Sequence, residues 1–153
     1  VRAIPHHVAF TGSKDPGRLR EIFPGAVSFF EQRGRGLGER LCHAFEHLYG
    51  AGAPAVCAIG CDCPSLPAAS IQSALKSLTE GTDTVIGPAH DGGYYLVGAR
   101  RRALGIFDAR GWGTERLFEE TRRLIERHGF SSILLEKRSD IDVIDDYRKW
   151  KGW

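Results

Sequence analysis

The sequence predicts an α/β domain with a mainly parallel sheet and helices on both of its faces, a three-layer sandwich. Three observations predict it. Apolar runs of strand length alternate with one-sided helical stripes along the whole chain. One run, Ala55 to Ile59, is apolar throughout, as a parallel strand covered on both faces is. Hydrophobic residues make up 42% of 153 residues, enough for a sizeable core and too many for a disordered chain.

The elements follow in order. His7 to Thr11 reads as a strand, and Asp15-Pro16-Gly17 opens a short helix to about Phe23, with Asp15 as N-cap. Ala26 to Phe30 is a second strand. After the turn Gly34-Arg35-Gly36, Leu37, Leu41, Ala44, Phe45 and Leu48 mark one face of a helix that Gly50 and Gly52 end. The 55–59 strand comes next, then a helix from Leu66-Pro67 with Ile71, Leu75 and Leu78 inward. Thr84 to Ile86 and Tyr94 to Val97 are strands on either side of a Gly-Gly turn. Thr114 is placed to cap a helix with Leu117, Thr121, Leu124 and Ile125 on one stripe. Ser132 to Leu135 is a last strand and Val143 to Trp150 a final amphipathic helix. No repeat, linker or internal boundary is visible, so residues 1–153 read as a single domain.

Composition excludes several classes. A formal net charge of +2 is too small for nucleic-acid binding by bulk charge. No run approaches the length of a membrane span, and the N-terminus lacks the apolar core of a signal peptide. Three of the four cysteines, Cys57, Cys61 and Cys63, fall within seven residues, too close along a strand to bridge easily, and Cys42 stands apart. The expectation is reduced thiols in a cytoplasmic protein, with Cys57 buried. The chain contains no methionine, so its start is expected to have been removed.

Four segments carry candidate chemistry. In Gly60-Cys61-Asp62-Cys63-Pro64, Asp62 sits just past the C-terminal end of a buried strand, the edge where open α/β sheets bind ligands. A carboxylate there suits Mg²⁺ or Mn²⁺, hard ions that bridge to substrate phosphates; it equally suits a loop aspartate bonded to backbone amides. In Gly87-Pro88-Ala89-His90-Asp91-Gly92-Gly93-Tyr94-Tyr95, two glycines permit close approach by a ligand, while Asp-Gly is also an ordinary turn signal. Asp140 and Asp142 alternate and point the same way on extended backbone, so they could complete a metal site with Asp62. Asp142 is also well placed as a helix N-cap. The stretch Gln32 to Arg40 combines glycines, arginines and a helix start into an anion cradle or a solvated basic turn; it is neither a Walker A nor a dinucleotide fingerprint. A thiolate metal site is disfavoured because no Cys-x-x-Cys pair is present.

The order of these segments carries more than any one of them. Gln32 with Leu37-Gly38-Glu39-Arg40, Gly60-Cys61-Asp62-Cys63-Pro64, Asp91-Gly92-Gly93-Tyr94-Tyr95, Trp112-Gly113-Thr114 and Asp140-Ile141-Asp142 together resemble the glycosyltransferase-like family called radical-SAM/selenodomain-associated transferases. That family is similar in fold to molybdenum-cofactor and phospholactate guanylyltransferases, and the resemblance runs from about Val8 to Trp150. It implies a Rossmann-like GT-A fold of the nucleotide-diphospho-sugar transferase type and a metal-dependent transferase using a nucleoside triphosphate or nucleotide-sugar. It implies Asp62 as the aspartate of the acidic metal motif, with Asp140 and Asp142 completing the site, and Asp62 and Asp91 as catalytic groups. Gln32, Gly38, Arg40, Gly92, Gly93, Tyr94, Trp112 and Thr114 would contact nucleotide and a small-molecule acceptor.

The chain departs from the family pattern at Arg35-Gly36, where Gly-Asp is usual, at Gly113 in place of Ser, and at Val143-Ile144-Asp145-Asp146. The first strand and nucleotide loop are expected to be missing at the N-terminus. The strands at 8–11 and 55–59 would then flank a gap, with self-association of the chain as one way to fill it. A non-catalytic binding module that keeps the fold and lacks the loop is the alternative function.

Overall fold

The structure, a computed structural model, describes residues 4–12, 16–139, 141 and 144–151. In chain order the elements are β1 (His7–Phe10), α1 (Pro16–Ile22), β2 (Ser28–Glu31), α2 (Leu37–Gly50), β3 (Cys57–Ile59), α3 (Ala68–Thr79), β4 (Thr84–Pro88) and β5 (Tyr94–Ala99). A 3-10 helix (Arg101–Asp108), α4 (Leu117–His128), β6 (Ser132–Leu134) and α5 (Ile144–Lys151) complete it. Every strand and α-helix read from the sequence is present. The 3-10 helix is an addition: Ala103, Ile106 and Phe107 bury one short face.

The strands form two sheets. β1 pairs β2 in parallel, His7 opposite Ser28, and the larger sheet has the order β3-β5-β4-β6. In the larger sheet β4 runs parallel to β6, whereas β5 is antiparallel to both β3 and β4. The mainly parallel sheet expected from the alternation is therefore mixed here. The connection between β4 and β5 is only residues 89–93, too short for the crossover that two parallel neighbours need.

The Ala55 to Ile59 run also differs from expectation. It forms a three-residue edge strand, and Ile59 is 49% exposed rather than covered on both faces. Among the described residues no strand joins β1 to β3, so these two edges remain unpaired.

Alternation along β4 and β5 builds a core on each face of the larger sheet. Ile86 and Val97 pack with Phe45 of α2, Ile106 and Phe107 of the 3-10 helix and Ile125 of α4. Val85 and Leu96 face the other way, onto Ala74 and Leu78 of α3 and onto Cys63. Both central strands are almost wholly buried, so their positions are fixed and the loops at their ends inherit that rigidity.

At the opposite end of β4 from its exit, Asp83 is buried and fully satisfied. Its carboxylate accepts from Arg102 Nε at 2.5 Å and Nη2 at 2.6 Å, and from the Ser131 backbone N–H and hydroxyl at 3.0 Å each. The Arg102 guanidinium, with help from Ser131, holds the Asp83 carboxyl well below the usual carboxylate range against the opposing effect of burial. This network joins the starts of β4 and β6 to the 3-10 helix.

Candidate active site

Strands β3, β4 and β6 all run the same way, so their C-terminal ends share one edge of the sheet. Three chain segments leave from that edge: 60–66 after β3, 89–93 after β4 and 135–141 after β6. Asp62 is in the first and Asp91 in the second. The edge is the one at which open α/β sheets bind ligands.

Asp62 is exposed, and its carboxylate accepts no hydrogen bond from a described residue. It folds back so that Oδ1 occupies the space where a side chain on Gly60 would begin. Gly60 is therefore required for this pose, and its N–H is tied to the Tyr95 carbonyl at 3.1 Å. An unpaired, exposed carboxylate on an anchored loop is chemically suited to a hard divalent cation.

Asp91 closes its own turn: Oδ1 accepts from the Gly93 N–H at 2.8 Å. Gly92 has φ of +93°, and its Cα packs against the backbone of Glu115. The Gly92 carbonyl accepts from the Phe118 N–H at 2.9 Å, which fastens the turn to the first residues of α4. A cavity of about 530 Å³ opens beside it, lined by His90, Asp91, Gly92, Glu115 and Arg116 and by Glu119, Glu120 and Arg123 of α4. The side chains of His90, Glu115 and Arg116 pair with no described residue and are free to meet a ligand.

The third segment crosses between the first two. Arg138 donates its backbone N–H to the Pro88 carbonyl at 3.1 Å and accepts from the His90 N–H at 3.0 Å. Its Nη1 donates to the Ser65 carbonyl at 3.1 Å. Ile141 donates its N–H to the Asp62 carbonyl at 2.8 Å. Asp140 and Asp142, expected as metal ligands, lie outside the described residues; Ile141 between them is against the Asp62 loop. Among the described residues no three His, Cys, Asp or Glu side chains gather into a metal-ligating group.

The remaining expected residues fall in two places. Gly38, Tyr94 and Trp112, far apart in sequence, meet in one packed cluster. A Cβ on Gly38 would stand 2.5 Å from the Phe107 carbonyl oxygen and 2.8 Å from Cε2 of Trp112. Trp112 donates its indole N–H to that same carbonyl at 3.1 Å and meets the Tyr94 ring edge-on, centroids 5.7 Å apart. Burial pushes the Tyr94 phenol up, out of reach of ordinary pH. Gln32 and Arg40 brace the Gln32–Arg40 turn: Gln32 Nε2 donates to the Ala9 carbonyl at 3.0 Å, and Arg40 Nε to the Gly34 carbonyl at 3.2 Å.

Thr114 differs from its reading as a helix cap. The helix begins at Leu117 with Arg116 at the capping position and no side-chain cap; the Thr114 hydroxyl lies one turn earlier, where it accepts from the Arg116 N–H at 3.2 Å and donates to the Gly111 carbonyl at 2.9 Å. It thereby shapes the turn that delivers Glu115 to Gly92. All four cysteines are free thiols. Cys61 is exposed and Cys63 buried. Cys57 is half-buried as a residue, but burial of its thiol pushes the pKa up to about 12.

Arg138 and the charged start of α4 carried no sequence signal of their own. An arginine in Glu136-Lys137-Arg138 and the charges interleaved with Leu117 and Thr121 match no chemical motif by spacing. Only the return of chain 135–141 beside β4 makes Arg138 part of the edge.

Comparison with known proteins follows the same lines. A family profile described as "Uncharacterized protein conserved in bacteria (DUF2064)" matches residues 1–114. No curated protein matches the chain. A crystal structure from Desulfovibrio desulfuricans G20, provisionally named a nucleotide-diphospho-sugar transferase, superposes with a TM-score of 0.85 at 30% identity. The match covers 97% of this chain and 66% of that one, so the chain spans just under two thirds of that structure's length. The α/β fold is thus that of a GT-A-like transferase. No described helix is long and apolar enough to cross a membrane.

Proposed function

The chain belongs to the DUF2064 family of uncharacterized proteins conserved in bacteria, and from that premise we propose that it is a metal-dependent transferase of the cytoplasm. It would move a nucleotidyl or glycosyl group from a nucleoside triphosphate or nucleotide-sugar to a small-molecule acceptor. One observation supports this above the others. Two carboxylates, Asp62 and Asp91, each with an oxygen that meets no described partner, leave same-direction strands at one edge, on loops tied together by a third segment. That arrangement suits a transferase, in which a cation held by carboxylates would neutralise charge on a diphosphate leaving group while the acceptor is oriented for attack.

In this reading Asp62, with Asp140 and Asp142, would hold Mg²⁺ or Mn²⁺, which supplies the charge neutralisation at the phosphates. Asp91 would orient the acceptor and take its proton. Gly92 and Gly93 would let the ligand approach the backbone, and Tyr94, Trp112 and Gly38 would form the wall behind it. Gln32, Arg40 and Thr114 would hold the turns that border the nucleotide and acceptor.

The test is a thermal-shift and calorimetric panel of nucleoside triphosphates and nucleotide-sugars, each with and without Mn²⁺. Binding that requires the ion and is lost in Asp62→Asn supports the proposal. Binding that ignores both the ion and Asp62 refutes it and leaves the non-catalytic binding module.

A further inference from the structure

The two acidic loops do not leave neighbouring strands. β5 lies between β3 and β4, so their exits stand about 10 Å apart, two strand spacings. We propose that Arg138 is the positioning residue that holds the Asp62 loop and the Asp91 loop at a fixed separation. The inference rests on the transferase reading of this edge, in which both carboxylates act on one ligand.

The argument starts from where Arg138 bonds. Its backbone is a bridge partner of Ala89, bonded on either side to Pro88 and His90, so its Cα is locked one residue short of the Asp91 turn. Its side chain runs the other way, and Nη1 reaches the Ser65 carbonyl, three residues past Asp62. Nη2 donates to Glu136 Oε2 at 2.9 Å, which fixes the plane of the fork. Tyr95, from the intervening strand, donates its hydroxyl to the Glu136 carbonyl at 2.8 Å. Cys63, beside Asp62, is covered by the same segment, its thiol directed at the Ser139 carbonyl at 3.8 Å.

The Arg138 side chain is only 20% exposed; its guanidinium lies beside the Tyr95 hydroxyl, and its Nε is buried with no hydrogen-bond partner among the described residues. A buried, unpaired N–H costs stability, so an apolar side chain of similar length would serve the core better. What arginine adds is a planar fork that meets acceptors in two different segments at once. That is a device for geometry. A site acting on one ligand with two carboxylates from separated strands needs such a device, since productive positions tolerate only a few tenths of an ångström of drift.

The experiment compares Arg138→Met and Arg138→Lys with Asp83→Ala, which destabilises β4 at its far end. The first readout is iodoacetamide alkylation of Cys63, assigned by peptide mass. The second is the Mn²⁺-dependent Kd for a nucleoside triphosphate. Arg138→Met is expected to speed Cys63 alkylation roughly tenfold or more and to weaken binding by a similar factor, from loss of the charge-assisted bonds. Lys, which keeps the charge and loses the fork, is expected to fall between. Asp83→Ala is expected to leave Cys63 protected while lowering the urea midpoint. Unchanged Cys63 protection in Arg138→Met overturns the inference, as does equal deprotection in Asp83→Ala. Failure of the unmodified protein to bind nucleotide would sink the transferase reading alone, because the thiol readout still decides whether Arg138 couples the loops.

Discussion

Gly92 links the stability of the fold to the shape of the site, and Gly92→Ala measures the link. A Cβ at Gly92 would stand 2.6 Å from the Glu115 carbonyl carbon and 2.7 Å from its Cα, against about 3.4 Å for ordinary contact. The obstacle is backbone at the start of a helix, so it cannot step aside as a side chain could. Two costs add: about 1–2 kcal/mol for an L residue at φ of +93°, and about 1–3 kcal/mol for forcing the helix start away. A loss of about 2–5 kcal/mol is expected, lowering Tm by roughly 5–15 °C. Urea unfolding followed by tryptophan fluorescence reads it. Gly113→Ala is the matched comparison: φ is +77° with nothing within 4 Å, so it carries the dihedral cost without the clash. If Gly92→Ala loses less than about 1 kcal/mol, or no more than Gly113→Ala, the tight docking of the Asp91 turn on Glu115 is wrong.

Acid should weaken the protein through Asp83. Its folded pKa is depressed, so its contribution is complete above the unfolded value near 4 and is lost as pH falls through the folded value. Urea midpoints measured from pH 5 down to pH 2 should fall steeply in the unmodified chain and less in Asp83→Asn. At pH 7 Asp83→Ala should cost about 2–3 kcal/mol, chiefly from the Ser131 bonds, because Arg102 is largely exposed and its pairing is screened. Cys57, with a thiol pKa near 12, should resist iodoacetamide at pH 8 while exposed Cys61 reacts; fast labelling of Cys57 in the folded protein contradicts its burial. Asp62→Asn should leave the thermal midpoint within about 1 °C, since the carboxylate meets no described partner, and a larger drop would assign it a structural bond instead.

The sequence was legible wherever a pattern was local. The stripes of α2, α3 and α4 and the apolar strands announced themselves by period, because burial on one face dictates it. Strand direction was not legible from alternation alone. The Asp-Gly turn signal at 91–92 was present, and the short connection it marks forces β5 to run back beside β4. At the candidate site, Asp62 and Asp91 stood out as candidates because each follows an apolar run near Gly or Pro. Arg138 could not, since its role comes from a strand pairing between distant parts of the chain. Asp83 was likewise an unremarked acid before a strand; only the approach of Ser131 and Arg102 makes it a buried hub.

The β4–β5 hairpin has a consequence for how the protein reaches its shape. It joins the two most buried strands through five residues, so closing it costs little chain entropy, whereas β6 must return from far along the sequence. The hairpin is therefore expected to form early in folding, and its tip is the Asp91 turn. On the proposed transferase reading, the residues that would meet the ligand are then also the ones that bear on the folding rate. Changes there should slow refolding more than they hasten unfolding, a kinetic constraint that changes in the exposed Asp62 loop escape.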